Sequence, residues 1–434
     1  MIRSLLRVTA CSFALVTAAF AADTYPRLAT YSIGSPQDYW TPAFQKELST
    51  VQVAVLGYYP GWGAAAGVTI NDAANKIKAL NPSTRIFLYT CAEAQQIPMS
   101  SVYADLYTKV QNEQWWLTTS GTSGSKILSD FGNGQYLLNT TAGSRKDSSG
   151  KTWVQWYAGW VAQKYMAPNP NVDGVFTDDV FYKPRRDGDW NLDGSTDSAN
   201  AVATQKAFRQ GYALLADSFR AAAPGKLNIA NAADWGQPGA DLTEYNGKFN
   251  GGLYEHMVGR SNSIETYVGW AAMMTSYRKV MAALAAPKYG ICSMSGSPTD
   301  YQSVRYALAS CSMDDGYFAF SDQSHLYHGV PWFDEYGAKL GAALSGPVTA
   351  AWQSGVYRRN FEKGIILVNP KGNGARTVTL EGDFVKLKGS QVPSVNNGQT
   401  VRTVTLQDRD GIILLRTSAQ AAAAPEMPAN FQVQ

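Results

Sequence analysis

The chain has 434 residues, 45% hydrophobic and 16% charged, which excludes a disordered polymer and leaves room for one large domain with a smaller one. The formal charge of +3 falls to a surplus of one once Arg3 and Arg7 of the leader are set aside, so nucleic acid is not an expected partner. Only 3 His argue against a His-rich metal hydrolase, whereas 12 Trp and 24 Tyr suit a surface that stacks on flat or sugar-like ligands.

Residues 1–21, MIRSLLRVTACSFALVTAAFA, place two arginines before a short apolar stretch and the small-residue signal Ala19-Phe20-Ala21. This order predicts a secretory signal peptide cut after Ala21, and hence an exported protein, periplasmic or secreted. After it no apolar run reaches the roughly 20 residues that span a bilayer, so no membrane span is expected. The remaining Cys91, Cys292 and Cys311 are odd in number, which argues against a disulfide framework and leaves open whether Cys292 and Cys311 pair.

Eight short β-rich runs then follow, at 29–33, 51–59, 84–90, 172–180, 227–231, 251–257, 289–294 and 316–322. Amphipathic segments such as NDAANKIKAL and ATQKAFRQGYALLADSFRAAA separate them. The alternation predicts an α/β chain, a (β/α)8 TIM barrel over residues 22–345. A doubly wound sheet would open on a Gly-rich phosphate turn, which SIGSPQDYW does not match. Residues 91–171 are too long for a simple crossover. They hold a helix (SVYADLYTKVQNEQWWL), a hairpin near GQYLLNTT and an aromatic helix (TWVQWYAGWVAQKYM), and long loops at a barrel top shape binding clefts. From 346 to 416 apolar and polar residues alternate between frequent turn signals, predicting a small C-terminal antiparallel β-sandwich. Residues 417–434 form an Ala/Pro-rich tail, expected to be disordered.

Barrel chemistry sits at the C-terminal ends of strands. The fourth run ends in Asp178 and Asp179, and the sixth brings Glu255 to the same level. Two carboxylates converging at a barrel mouth are what glycoside cleavage needs, so Asp178 is the expected nucleophile or base and Glu255 the general acid. Strand alternation predicts that Asp179 faces away from Asp178, and that Tyr254 and His256 turn away from Glu255. Asp178 is expected to be exposed and ionised, and Glu255 to have its pKa raised by Asp178. Asp173, at the start of the run, reads as structural. Tyr58, Tyr59, Trp62, Tyr89, Asp179, Asn231, Trp235 and Asp322 lie at or just after strand ends and are the expected substrate-binding residues, with Glu93 and Asp234 beside them. Glu244 is a lower-ranked acid. His325 and His328 lack a third ligand for a zinc site.

The loop Asp189–Asn200 places Asp189, Asn191, Asp193, Ser195 and Asp197 around Gly194 in EF-hand-like spacing, with Asn200 where the bidentate Glu would stand. Structural Ca2+ is expected there at modest affinity; no organic cofactor is expected.

The ordered set of features resembles a known family. DGVFTDDV resembles the D-G-x-x-x-D strand of many glycosidase barrels, in which the last Asp is the nucleophile, here Asp178. Together with the DGDWNLDG loop, a strand ending in Glu, and a final segment running from RRNFEKGIILVNP to DGIILLR, the chain is similar over residues 25–416 to the hypothetical glycosyl hydrolases numbered family fifteen. The resemblance implies a glycosidase barrel acting on a poly- or oligosaccharide and names no sugar or linkage. The chain is expected to work as a monomer. A glycan-binding barrel without turnover is the alternative; an esterase would need a G-x-S-x-G elbow, which is missing.

Overall fold

The computed structural model describes residues 24–34, 36–97, 100–132, 134–259 and 263–417. The expected signal peptide and all but the first residue of the expected tail lie outside them.

Eight strands form one parallel sheet in chain order: β1 (Ala29–Ser32), β2 (Val53–Leu56), β3 (Arg85–Cys91), β4 (Gly174–Asp178), β5 (Leu227–Asn231), β6 (Gly251–Val258), β7 (Tyr289–Gly296) and β8 (Tyr317–Asp322). A parallel bridge between Leu28 and Phe318 joins the last strand to the first and closes the barrel. The near-continuous apolar runs suit strands buried on both faces. Val53, Val55, Phe87, Phe176, Ile229 and Leu253 fill the interior. Ala54, Leu56, Ile86, Leu88 and Val175 alternate with them and pack outward.

The outer layer holds α1 (Pro42–Leu48), α2 (Ile70–Leu80), α5 (Val202–Ala222), α6 (Ile264–Ala283, broken at Gly269) and α7 (Tyr301–Cys311). Start signals are local: Pro42 opens α1, and Thr69 with Asp72 forms a reciprocal capping box on α2.

The long 91–171 insertion builds one wall above the barrel. It contains a two-stranded ribbon (Ala94–Gln96 with Gln135–Leu137), α3 (Ala104–Glu113) and α4 (Trp153–Val161), which runs on into a π turn over Ala162–Met166. Trp115–Leu117, expected in helix, are extended, and Trp116 bridges Leu138. The rings of Trp115 and Trp153 pack at 5.7 Å between centroids. The segment seats closely on α5: a Cβ at Gly211 would stand 1.8 Å from the Thr140 carbonyl oxygen.

At the C-terminus, β9 (Tyr357–Phe361), β10 (Gly364–Asn369), β11 (Arg376–Lys386), β12 (Thr400–Leu406) and β13 (Asp410–Arg416) are antiparallel. The small C-terminal antiparallel β-domain that the sequence pattern predicts is present, and its strands hydrogen-bond in the order β9-β10-β13-β11-β12. The register shift between Thr379 and Phe384 breaks β11, which pairs with β12 on both sides of it and with β13 only beyond it. Ile365, Leu367, Val378, Phe384, Ile412 and Leu414 make a separate small core, while Ile366, Val368 and Ile413 join the barrel's outer core.

Candidate active site

The C-terminal ends of the strands and the insertion enclose a cavity of about 790 Å³. Asp178 ends β4 on its floor, and Glu255 faces it from β6. Asn231, the last residue of β5, stands between them. Its Nδ2 donates to Asp178 Oδ1 and to Glu255 Oε2, each over 2.9 Å. Those two carboxylate oxygens are therefore no farther apart than twice that length. Asp178 also accepts from the Tyr89 hydroxyl (2.8 Å), the Asp179 backbone N–H (2.9 Å) and the Tyr31 hydroxyl (3.4 Å). Glu255 accepts from the Tyr327 hydroxyl at 2.8 Å, with His256 Nε2 3.7 Å away.

Burial and then the facing Glu255 push the Asp178 carboxyl above its ordinary range, against the pull of hydrogen bonds from Asn231 and Tyr89. Asp178, expected to be exposed, is half-buried. Burial also raises the phenols of Tyr31 and Tyr89, keeping them as O–H donors. Asp179 is pushed up to about 8 by burial and by Asp178.

Two expectations from strand alternation fail here. Asp179 (φ +56°) and His256 (φ +49°) adopt left-handed backbone, which ordinary residues reach only under constraint, and both line the cavity. At His256 the β6–β7 register is broken between Tyr254 and Val258, and its backbone N–H donates to Ser293 Oγ. Tyr254 does turn away, packing on Tyr277.

This carboxylate-bearing barrel carries a family signature: the profile described as hypothetical glycosyl hydrolase family 15 matches residues 78–365. The chain belongs to that family. No curated protein matches the sequence. Among solved structures, it is similar to the glycoside hydrolase domain of PelA from Pseudomonas aeruginosa, at 14% identity and TM-score 0.41 over 71% of this chain and 99% of that one. It is also similar to the GH36 alpha-galactosidase AgaA from Geobacillus stearothermophilus, at 11% identity and TM-score 0.45 over 92% of this chain and 56% of that one. At these values no residue role follows from either.

Within this family member, Tyr58, Tyr89, Asp179 and Asn231 line the cavity with the two carboxylates. Tyr59 is 41% exposed and lies outside it. Trp62 and Trp235 are not available to a sugar. Trp62 is 4% exposed, stacks on Tyr39 and donates its indole N–H to the Pro36 carbonyl; Trp235 is fully buried, stacks on Tyr245 and donates to the Val180 carbonyl. A large ring at a strand end is drawn into the packing under the loops, where its area is removed from water. Asp322 accepts from the Ser324 backbone N–H and hydroxyl and so caps its own turn. Asp234 is half-buried, accepts from the Tyr182 N–H and is raised to about 7 by desolvation. Glu244 is ion-paired with Arg209 at 2.8 Å.

The structure adds Tyr31, Tyr327, His256 and Arg185 to the cavity. Tyr31 was within reach of sequence reasoning, since Ala29 and Tyr31 alternate inward on β1; Tyr327 sits in a loop with no pattern to mark it. Cys292 and Cys311 are buried free thiols.

In the Asp189–Asn200 loop, Asp197 Oδ2 accepts from the Trp190 and Asn191 backbone N–H groups, and the Asn191 amide donates to Asp193 and Asp197. Asp189 Oδ2 accepts from the Gly121 and Gly194 N–H groups, while its Oδ1 is buried without a partner. No group of three His, Cys, Asp or Glu side chains suited to a metal occurs among the described residues. None of the described helices is long and apolar enough to cross a membrane.

Proposed function

We propose that the protein is an exported glycoside hydrolase that cleaves a poly- or oligosaccharide with retention of configuration. The observation that carries this reading is the Asn231 amide shared by Asp178 and Glu255. It holds the two oxygens it binds no farther apart than twice 2.9 Å, which favours the roughly 5–5.5 Å spacing of a retaining pair over the roughly 6.5–9.5 Å an inverting pair needs for its water. Asp178, held by three donors within 2.9 Å, attacks the anomeric carbon while Glu255 gives its proton to the departing glycosidic oxygen. Glu255 then takes a proton from water as that water displaces Asp178. Export rests on the leader at residues 1–21.

A screen of the purified protein against bacterial and plant polysaccharides, with Asp178→Asn as control, tests the reading. Cleavage by the wild type and not by the variant is expected. Binding without cleavage would establish a glycan-binding barrel instead. Aryl glycosides with good leaving groups assign the roles: they should rescue Glu255→Gln, and rescue of the Asp178 variant would exchange the two residues.

The Asp189–Asp197 loop is proposed as a structural calcium site held by Asp189, Asn191, Asp193, Ser195 and Asp197. The orphaned, buried Asp189 Oδ1 supports a missing positive partner. A chelator should lower the melting temperature of the wild type and leave Asp193→Ala unmoved. No heat on calcium titration would leave the loop closed by its own hydrogen bonds.

A further inference from the structure

Beside the catalytic pair lies an acidic group that this two-carboxylate reading does not use. Cys91, ending β3, is the register partner of Asp178, so Glu93 and Asp179 both fall just beyond the end of one strand pair. Asp179 is 5% exposed and Glu93 1% exposed. The Cys91 thiol approaches Asp179 Oδ2 at 3.6 Å, and Glu93 Oε1 is buried with no hydrogen-bond partner, as is the hydroxyl of Tyr212 on α5. The charged and titratable groups facing the two acids include Asp178 on β4, Tyr89 and Cys91 on β3, Glu255 on β6, Tyr212 on α5, and Tyr245, Arg185 and Asp130 on loops. Arg185 is the one cation in that set. It is exposed, stacked on Phe181 at 3.7 Å, and forms no ion pair with either acid among the described residues. Two buried carboxyls next to a third cannot all stay charged on one solvent-facing guanidinium.

We propose that Asp179 works as a neutral acid: protonated at neutral pH, it donates a hydrogen bond to a hydroxyl of the sugar lying over Asp178, leaving Asp178 as the anion under the anomeric carbon. Buried Glu93 behind it is neutral for the same reason. The shift of Asp179 to about 8, and of Glu93 well above the carboxylate range, agree with this placement.

The substrate arm of this inference rests on the hydrolase reading; the protonation arm does not. Infrared spectra of the full chain without substrate should show a protonated-carboxyl carbonyl band at pH 7. Asp179→Asn, which keeps the shape, should remove one component of it. The stability sign is fixed: a carboxyl raised in the folded state holds a proton that the unfolded chain has lost, so its contribution falls as pH rises from about 4 to about 8 and is flat above. Asp179→Asn cannot titrate, so its melting temperature should gain on the wild type across that window and then run parallel. On any glycoside the wild type cleaves, the rate should fall about tenfold per pH unit above about 8, and that fall should be absent from whatever activity Asp179→Asn retains. Loss of no band component, or a constant melting gap, overturns the proposal. A band that behaves as expected, in a protein that cleaves nothing, would refute the hydrolase reading alone.

Discussion

Asp173, just before β4, and Asp178, its last residue, lie at opposite ends of one strand and have opposite partners. Asp173 receives Lys78 at 2.7 Å, Arg85 at 2.9 Å and the Ile86 N–H at 2.8 Å. Asp178 receives hydroxyls and amides from described residues, and a second carboxylate faces it. At the lower face the charge is met by cations that pin β4 to α2 and β3. At the upper face it is positioned by neutral donors, with no ion pair among the described residues, on the floor of a cavity. A carboxylate balanced by cations holds strands together, whereas one enclosed without them is poised to exchange a proton or attack an electrophile.

That contrast can be broken by substitution. Asp178→Asn should lower turnover more than about 10³-fold while the protein remains folded, because the attacking carboxylate is removed. Glu255→Gln should cost about 10²–10⁴-fold on natural glycans and much less on substrates whose leaving group needs no proton. Asn231→Ala should cost about 10²-fold, as one donor that fixes both carboxylates is lost, measured as kcat at saturating substrate. At the other end Asp173→Ala should leave kcat per folded molecule intact but reduce stability by about 1–3 kcal/mol in denaturant titration, discounted because Lys78 and Arg85 are partly exposed. An Asp173 variant that kept its stability and lost turnover would dissolve the distinction between the two faces.

The C-terminal sheet supplies the smallest effects. Asp383 pairs with exposed Arg402, Glu362 accepts the Ala342 N–H, and Asp408 caps Gly374. Replacing each by Ala should leave turnover unchanged, and Asp383→Ala should barely move the melting temperature. A large loss of activity at constant stability would bring this sheet into the site.

The barrel was legible because parallel strands buried on both faces leave near-continuous apolar runs, and the spacing of eight such runs between amphipathic segments admits few architectures. Asp178, Glu255, Asn231 and Tyr89 could be named because a strand end is a position along the chain. Which way a side chain turns there is not. The left-handed backbone at Asp179 and His256 breaks the two-residue period that the sequence pattern assumes, and brings both into the cavity. Trp62 and Trp235 left the expected surface because burying a ring under the loops outweighs exposing it at the mouth. The strand order at the C-terminus follows from pairing of β13 with both β10 and β11, which the sequence pattern does not fix. Local chemistry along the chain thus determined the elements and the level of the carboxylates. Only tertiary packing decided which groups meet, since hydrogen bonds such as Tyr327 to Glu255 and Tyr31 to Asp178 join residues 72 and 147 positions apart.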